Sequence, residues 1–299
     1  CTIVVTASAQ GSVSLGISAG FAVADLAANV ATGLAATVTD TTVTYDSAGP
    51  VLALAQAAAQ ADPTNGTTVR FTLTASEAID ASSVTAADFT AGNGTITAIT
   101  CTSTACTLAV LAATDGTVTL APSASFSVAD LLGNATTSAD GTDRSVLVDT
   151  TTPVVTLRQG FTQVDPTSGA TIAFRLLSTE ALDTATVTAA DFALTNATLS
   201  AIDTSDATSI RIVVTAAGQG VVAIAPSAAF SVADPAGNVA TTTVAGSDRE
   251  VTYDSVAPTL TLAQAVGQAD PTAGSTIRFT LSASEAIAAG SVTASDFTV

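Results

Sequence analysis

Carboxylates at regular positions are the residues of this chain best suited to chemistry. The 299 residues include 25 acidic and 7 basic ones, for a net charge of −18. Glutamate is scarce, yet Glu77, Glu180 and Glu285 each follow Ser or Thr and precede Ala, at steps of 103 and 105 residues. A fixed carboxylate suits bidentate binding of a hard cation such as calcium. A solvated loop residue is the alternative interpretation of each glutamate.

Aspartates recur at the same interval in four sequence contexts. Three are the motifs Asp-Pro-Thr, Asp-Phe and Val-Ala-Asp-x-x-x-Asn, and the fourth is an Asp followed four residues later by Pro. Their positions are, in that order, Asp62, Asp165 and Asp270; Asp88, Asp191 and Asp296; Asp25, Asp130 and Asp234; and Asp46, Asp149 and Asp254. The chain therefore repeats a unit of about 104 residues.

The repeat divides the chain into four parts. Residues 1–46 match the C-terminal half of a unit, residues 47–149 and 150–254 are complete units, and residues 255–299 match an N-terminal half. Half a unit would leave strand edges and an apolar face exposed. We therefore expect the two halves to belong to continuing domains or to be completed by a neighbouring copy.

Alternating apolar and polar residues predict strands within each unit. In the first complete unit, Gly, Asn, Pro and Asp separate seven such segments: 51–56, 68–75, 89–91, 95–100, 107–111, 117–121 and 145–148. Residues 83–88 are expected to form one helical turn. Seven short strands in about 100 residues predict an immunoglobulin-like sandwich. The predicted fold is all-β: seven-stranded immunoglobulin-like sandwiches in a linear array.

The strand directions predict that the acidic residues converge at the joints between units. The first strand runs away from the preceding joint, the second returns to it, and the loop before the last strand returns to the same pole. The expected clusters are Asp46, Glu77 and Asp130; Asp149, Glu180 and Asp234, with Asp62 reaching in from the preceding unit; and Asp254 and Glu285, with Asp165 behind. Such carboxylates either repel one another or share a cation, and Ca²⁺ is the cofactor that they suit. Turn formation is the alternative role for Asp62 and Asp130.

The composition argues against several classes of function. All seven basic residues are Arg, so nucleic-acid binding is disfavoured because it needs a cationic surface. His is absent and no nucleophile–base constellation stands out, so no catalytic activity is expected. No apolar run reaches the roughly 20 residues that a membrane-spanning helix needs.

Cys101 and Cys106 bracket four residues between two predicted strands, a spacing that fits a disulfide across a hairpin end. Metal binding by the two thiols is the weaker alternative. A disulfide indicates an extracellular or periplasmic setting. The unit 150–254 has no Cys, so the bond is optional for the fold.

The order Asp-x-x-x-Pro, Asp-Pro-Thr, Phe-x-Leu-x-x-Ser-Glu-Ala, Asp-Phe and Val-Ala-Asp-x-x-Gly-Asn resembles the bacterial immunoglobulin-like tandem repeats of large surface adhesins and extracellular stalk proteins. The resemblance covers the whole chain and implies a cell-surface stalk, with calcium at joints formed by Asp46, Asp149, Asp254, Asp130 and Asp234. Two departures are Ala28 before Asn29, where later units have Gly, and Gly49 before Pro50 in a joint without Arg.

The leading hypothesis is a non-catalytic structural segment of a bacterial stalk, adhesin or extracellular filament. Its expected partners are the neighbouring repeats and other copies in a filament. One rival is an S-layer or sheath protein that assembles laterally. Another is a spacer for an enzyme encoded outside residues 1–299.

Overall fold

The computed structural model describes residues 1–34, 40–244 and 248–299. The chain forms two compact units, one made of residues 1–151 with 235–238 and the other of residues 152–234 with 239–299. Regular structure in the described residues is β-strand with short 3-10 turns, which confirms the predicted all-β class. No helix in these ranges has the length and apolar character needed to cross a membrane.

A sandwich of a four-stranded and a three-stranded sheet occupies residues 52–148. Its strands are β5 (Leu52–Gln56), β6 (Thr68–Ala75), β7 (Phe89–Gly92), β8 (Gly94–Cys101), β9 (Ala105–Ala112), β10 (Gly116–Pro122) and β13 (Ser145–Val148), with a small ribbon of β11 (Val128–Ala129) and β12 (Ala135–Thr136). The sheets have the orders β5-β6-β9-β8 and β13-β10-β7, with antiparallel neighbours throughout. The seven predicted strands are all present.

Residues 155–253 repeat this architecture in the second unit. The strands are β14 (Val155–Gln159), β15 (Thr171–Ser178), β16 (Phe192–Thr195), β17 (Ala197–Asp203), β18 (Ser209–Ala216), β19 (Gly220–Pro226) and β22 (Glu250–Tyr253), with a ribbon of β20 (Val232–Ala233) and β21 (Val239–Ala240). The sheet orders are β14-β15-β18-β17 and β16-β19-β22. The order of strands is therefore identical in the two repeats.

The terminal parts contain fewer strands. They comprise β1 (Gly11–Ser14), β2 (Val23–Ala24), β3 (Val30–Ala31) and β4 (Thr42–Tyr45) near the N-terminus, and β23 (Leu260–Gln264) and β24 (Phe279–Ala283) near the C-terminus. β1 pairs with β4, β2 with β3 and β23 with β24. Apolar side chains such as Leu262 and Phe279 are exposed by more than half of their area.

Alternation along the strands builds each core. Val69, Phe71 and Leu73 of β6 are fully buried, whereas Arg70 between them faces solvent. Successive side chains of a strand point to opposite faces of the sheet, so one face is apolar and the other polar. Phe89 and Phe126 meet edge to face at 5.5 Å between ring centroids inside the same core. Burial of such apolar surface is the main term that stabilises each sandwich.

Short polar turns fix the connections between strands. The 3-10 turns are η1 (Ala81–Ser83), η2 (Ala86–Asp88), η3 (Thr184–Thr186), η4 (Ala189–Asp191) and η5 (Ala294–Asp296). Asp88 is buried and accepts hydrogen bonds from the Thr85 amide and hydroxyl at 2.7 Å, which closes a capping box. The Asp-Phe motif is thus a turn cap, and its aspartate is structural. The expected single helical turn at 83–88 is replaced by the turns η1 and η2.

Candidate metal centre

Asp130 is the most buried acidic side chain of the first candidate centre, with 4% of its area exposed. It follows β11, and its carboxylate accepts hydrogen bonds from the Leu132 amide, the Asn134 amide and the Asn134 side chain at 2.7–2.8 Å. Burial acts to raise the pKa of Asp130, but the hydrogen bonds from Asn134, Leu132 and Gly133 together lower it. The loop therefore holds a charged carboxylate in a buried place.

The Asp-x-x-x-Asn loop is a local unit that recurs. In the first loop, the Asp25 carboxylate accepts hydrogen bonds from the Ala27 amide and from the amide and side chain of Asn29 at 2.8–2.9 Å. Ala28 lies there in the left-handed region at φ 68°, where later units have Gly133 at 89° and Gly237 at 92°. A positive φ favours glycine, which explains why the later units use it.

Glu77 lies two residues beyond the end of β6, at the pole where β5 begins. Loss of hydration raises the pKa of Glu77, and the charges of Asp46 and Asp130 and a side-chain hydrogen bond with Asp46 raise it further. The shift is opposite to that of Asp130. Opposite pKa shifts are expected where three carboxylates lie close together. Hydrogen bonds keep Asp130 charged, and a nearby negative charge makes ionisation of Glu77 less favourable.

Asp46 lies in the linker directly after β4, and that linker makes hydrogen bonds on both sides. The Asp46 carboxylate accepts the Ala48 amide at 3.1 Å, and its backbone oxygen accepts the Asn134 side chain at 3.4 Å. Ser47 donates its amide to the Gln10 side chain at 2.9 Å, and the Thr136 hydroxyl donates to the Pro50 oxygen at 2.7 Å. The linker therefore connects the strands before it to the loop that carries Asp130.

Gly49 allows this linker to lie close to β12. A Cβ atom at this position would come within 2.9 Å of the Ala135 backbone and 2.6 Å of the Thr136 hydroxyl. A side chain at position 49 would therefore collide with β12, which explains why this joint has glycine before Pro50.

Asp46, Glu77 and Asp130 each place a carboxylate oxygen within 4.8 Å of the others. Two oxygens that both bind calcium at about 2.3–2.6 Å can be at most about 5 Å apart, so the spacing fits a shared calcium ion. The donor set consists of hard carboxylate oxygens, which suits calcium rather than a soft metal. Zinc is disfavoured because His and Cys ligands are missing from the cluster.

The remaining predicted ligands occupy equivalent places in their own repeats. Asp149 follows β13 in the first unit, where its carboxylate accepts the Thr151 amide at 3.0 Å. In the second unit, Glu180 follows β15 and Asp234 follows β20 with 3% of its area exposed. Asp254 follows β22 and its carboxylate accepts the Val256 amide at 3.0 Å. Glu285 lies just after β24.

Glu285 has a buried carboxylate oxygen whose environment bears on the role of these glutamates. Its Oε1 atom is shielded from solvent and accepts no hydrogen bond from any residue in the described ranges. A buried carboxylate oxygen without a donor is costly unless a cation or proton binds it. The glutamate position thus provides an oxygen that a cation can bind.

Asp62 and Asp165 each use one carboxylate oxygen to accept a hydrogen bond from the last strand of their own repeat. Asp62 accepts the Leu147 amide at 2.9 Å, and Asp165 accepts the Thr252 amide at 2.8 Å. The peptide bonds that follow them, to Pro63 and Pro166, are cis. These contacts give both aspartates a structural role in closing the sandwich, and the cis bonds were not foreseen from sequence.

Cys101 and Cys106 form a disulfide across the end of the β8–β9 hairpin. Cys106 is fully buried within the core, so the bond joins the hairpin end to the interior. Three arginines on the outer face of β14, β15 and β18 were not predicted from sequence, because only the register of the strands makes them neighbours.

No protein-family model matches the chain, and no curated protein matches it. Among solved structures, InvD of Yersinia pseudotuberculosis is 17% identical over 73% of this chain, with a TM-score of 0.34. The Yersinia pseudotuberculosis adhesin InvE is 15% identical over 69%, at 0.23, and invasin, a bacterial integrin-binding protein, is 15% identical over 72%, at 0.27. The chain spans less than two thirds of each, namely 63%, 60% and 42%.

Proposed function

We propose that this chain is a non-catalytic structural segment of a bacterial cell-surface stalk or adhesin whose joints are stiffened by calcium. The observation that carries the proposal is the convergence of Asp46, Glu77 and Asp130 at a linker between repeats. The segment acts by holding a distal part of the surface protein away from the cell. Its setting is extracellular, in agreement with the disulfide between Cys101 and Cys106.

Tandem sandwiches with the same strand order support a structural role. Each sandwich has its own core of buried apolar side chains, which includes Phe71 in one and Phe174 in the other. Arrays of such units gain stability from each core and from contacts between neighbours. Length in such an array is set by the number of repeats, which suits a spacer.

Calcium is proposed because the carboxylate of Asp46 in the linker lies close to the carboxylates of Glu77 and Asp130. Without a cation, like charges about 4 Å apart repel by about 1 kcal/mol in water and by more near protein. Calcium would remove this repulsion and connect Asp46 of the linker to Glu77 and Asp130. A linker tied at this point loses freedom of rotation, so the array becomes stiffer.

Calorimetric titration of the chain with calcium tests the metal proposal. We expect binding with a Kd of about 0.1–1 mM, the range of extracellular calcium modules, and a higher melting temperature in calcium than in chelator. Magnesium should bind more weakly because it demands a stricter octahedral geometry. Glu77→Gln should weaken the titration, whereas Glu250→Gln, at an exposed glutamate of β22, should leave it unchanged.

The metal proposal would be rejected if calcium produced no heat of binding and left the melting temperature unchanged. The non-catalytic role has its own test. A hydrolase or transferase activity that a single substitution within residues 1–299 abolishes would contradict it.

A further inference from the structure

Three of the seven arginines form a row across the second complete repeat. Arg158 of β14 is the direct cross-strand partner of Arg175 of β15, and Arg175 is the partner of Arg211 of β18. Directly opposite residues in antiparallel strands point to the same face. Adjacent strands are about 4.8 Å apart, so the backbone positions of the three arginines span about 10 Å.

This arginine row (Arg158, Arg175 and Arg211) lies on the outer face of the sheet. Its strand neighbours Leu157, Phe174, Leu176, Ile210 and Ile212 are all fully buried on the opposite face. Arg158 is exposed, and Arg175 and Arg211 are half-buried. The Arg175 guanidinium donates to the backbone oxygen and hydroxyl of Ser209 at 2.9 and 2.7 Å, which orients it on the sheet surface.

Phe161 adds an exposed aromatic ring to the same face. The ring centroid is 5.3 Å from the guanidinium carbon of Arg158 and 5.2 Å from that of Arg175. Even so, 62% of the Phe161 side chain is exposed. A guanidinium can pack against an aromatic ring through its flat face while its N–H groups still bind anions.

The other repeats do not share the row. Register places Ala55, Thr72 and Thr107 at the matching positions of the first complete repeat. In the last part of the chain, Ala263 pairs with Thr280 at the positions of Arg158 and Arg175. The same sandwich therefore forms with small neutral residues there, so the fold does not require arginines.

Like charges placed directly opposite across strands are destabilising, so the row has an energetic cost. Two carboxylates offset part of this charge: Asp203, the cross-strand partner of Arg211, and Asp206, whose pKa is lowered by hydrogen bonds from Thr208 and further by the charge of Arg175. Hydrogen bonds from Ser205 lower the pKa of Asp203, and the charges of Arg211 and Arg175 lower it further. Residues that violate a local rule without structural need are expected at functional positions.

We propose that the arginine row and Phe161 bind an acidic polysaccharide, with the guanidinium groups holding its carboxylate or sulfate groups and Phe161 contacting a sugar ring. This rests on the cell-surface role proposed above and names the class of its target. Such a polymer carries anionic groups at intervals of a sugar ring or two, and guanidinium forks recognise planar anions well. An exposed aromatic ring beside two of the cations can contact the apolar face of a sugar.

Two other partners fit the row less well. The net charge of −18 opposes every anionic partner at long range, a second copy of the chain included. A duplex nucleic acid is opposed more than an acidic polysaccharide, because it carries about one charge per 1.7 Å of its axis, whereas the polysaccharide carries its charges a sugar ring or two apart. Both are outcomes of the test.

The experiment measures binding of the full chain to immobilised heparin, to polygalacturonate and to neutral dextran, at low and high salt. We expect salt-sensitive binding to at least one of the acidic polymers and none to dextran. The triple variant Arg158→Ala, Arg175→Thr and Arg211→Thr, which installs the residues of the first repeat, should lose at least tenfold in affinity. Phe161→Ala should weaken binding severalfold.

A matched control removes the same charge elsewhere, through Arg70→Ala, Arg144→Ala and Arg278→Ala. It should retain binding to within about twofold, because the effect depends on the row rather than on net charge. Circular dichroism checks that every variant folds. The triple variant uses residues that already occur in a folded repeat, so loss of fold is not expected.

Equal losses in the triple variant and the control, or binding of neither acidic polymer, would overturn the proposal. Self-association or DNA binding that depends on the row, without polysaccharide binding, would overturn it in favour of those partners. Calcium-dependent stiffness is measured separately and does not involve the row. Absence of polysaccharide binding would therefore not affect the stalk proposal, and absence of calcium binding would not affect the polysaccharide proposal.

Discussion

The two sandwiches, residues 52–148 and 155–253, have matching interiors and differ on one outer face and at one hairpin end. Leu54, Phe71 and Leu108 of the first occupy the places of Leu157, Phe174 and Ile212 in the second, and all six are fully buried. Both repeats have the same orders of strands in both sheets. The interior is constrained by close packing, whereas outward positions can change without altering the fold.

The hairpin ends illustrate the difference. Cys106 of the first repeat, bonded to Cys101, corresponds to Ile210 of the second. The second hairpin closes through hydrogen bonds, with Asp203 accepting the Ser205 amide and Asp206 accepting the Thr208 amide and hydroxyl at 2.7–3.1 Å. One repeat thus uses a covalent bond where the other uses a buried isoleucine and polar turns.

Loss of a central core side chain should give the largest effect and should be equal in the two repeats. Phe71→Ala and Phe174→Ala each remove a fully buried ring and should destabilise their own repeat by about 3–5 kcal/mol. Denaturant titration with hydrogen exchange by residue measures this. Phe161→Ala, at an exposed ring, should cost far less. Unequal losses for the two buried rings would show that the interiors are not equivalent.

Reduction of the disulfide should affect only the first repeat. Opening a loop of this size removes about 2 kcal/mol of stability. Hydrogen exchange in the presence of a reductant should show faster opening in residues 52–148 and no change in residues 155–253. Faster exchange in both repeats would mean that their stabilities are coupled.

The variant Arg158→Ala, Arg175→Thr and Arg211→Thr should make the second repeat slightly more stable. Removal of directly opposed like charges is expected to contribute about 0.2–1 kcal/mol, and less at high salt. Thermal unfolding at low and high salt measures the gain. A clear loss of stability at both salt concentrations would indicate that the arginines are structural.

Glu77 should make the calcium-free protein sensitive to pH. Because its pKa is raised above the usual 4.5 in the folded state, the folded state binds the proton more tightly than the unfolded state does. Its contribution to stability therefore falls as the pH rises from about 4.5 through the folded pKa. In chelator, Glu77→Gln should remove this decline, whereas Glu250→Gln should preserve it. An unchanged pH profile in Glu77→Gln would contradict the crowding of the three carboxylates.

The sequence alone predicted the repeat, the seven strands and the convergence of Asp46, Glu77 and Asp130. Spacing and alternation suffice for these because the landmarks recur and each strand has one buried face. The arginine row could not be recognised in the same way, since Arg158, Arg175 and Arg211 become neighbours only through strand pairing. The contact of Asp62 with Leu147, 85 residues away, also depends on three-dimensional closure. The capping box of Thr85 and Asp88 is local, and its Thr-x-x-Asp spacing is a signal that the sequence does contain.

The central claim is that calcium stiffens the joint that contains Asp46, Glu77 and Asp130. Small-angle scattering of the chain in calcium and in excess chelator tests it most directly. The account predicts a longer and narrower distance distribution in calcium, and a smaller difference between the two conditions in Glu77→Gln. Identical scattering profiles of the wild-type chain in calcium and in chelator would contradict it.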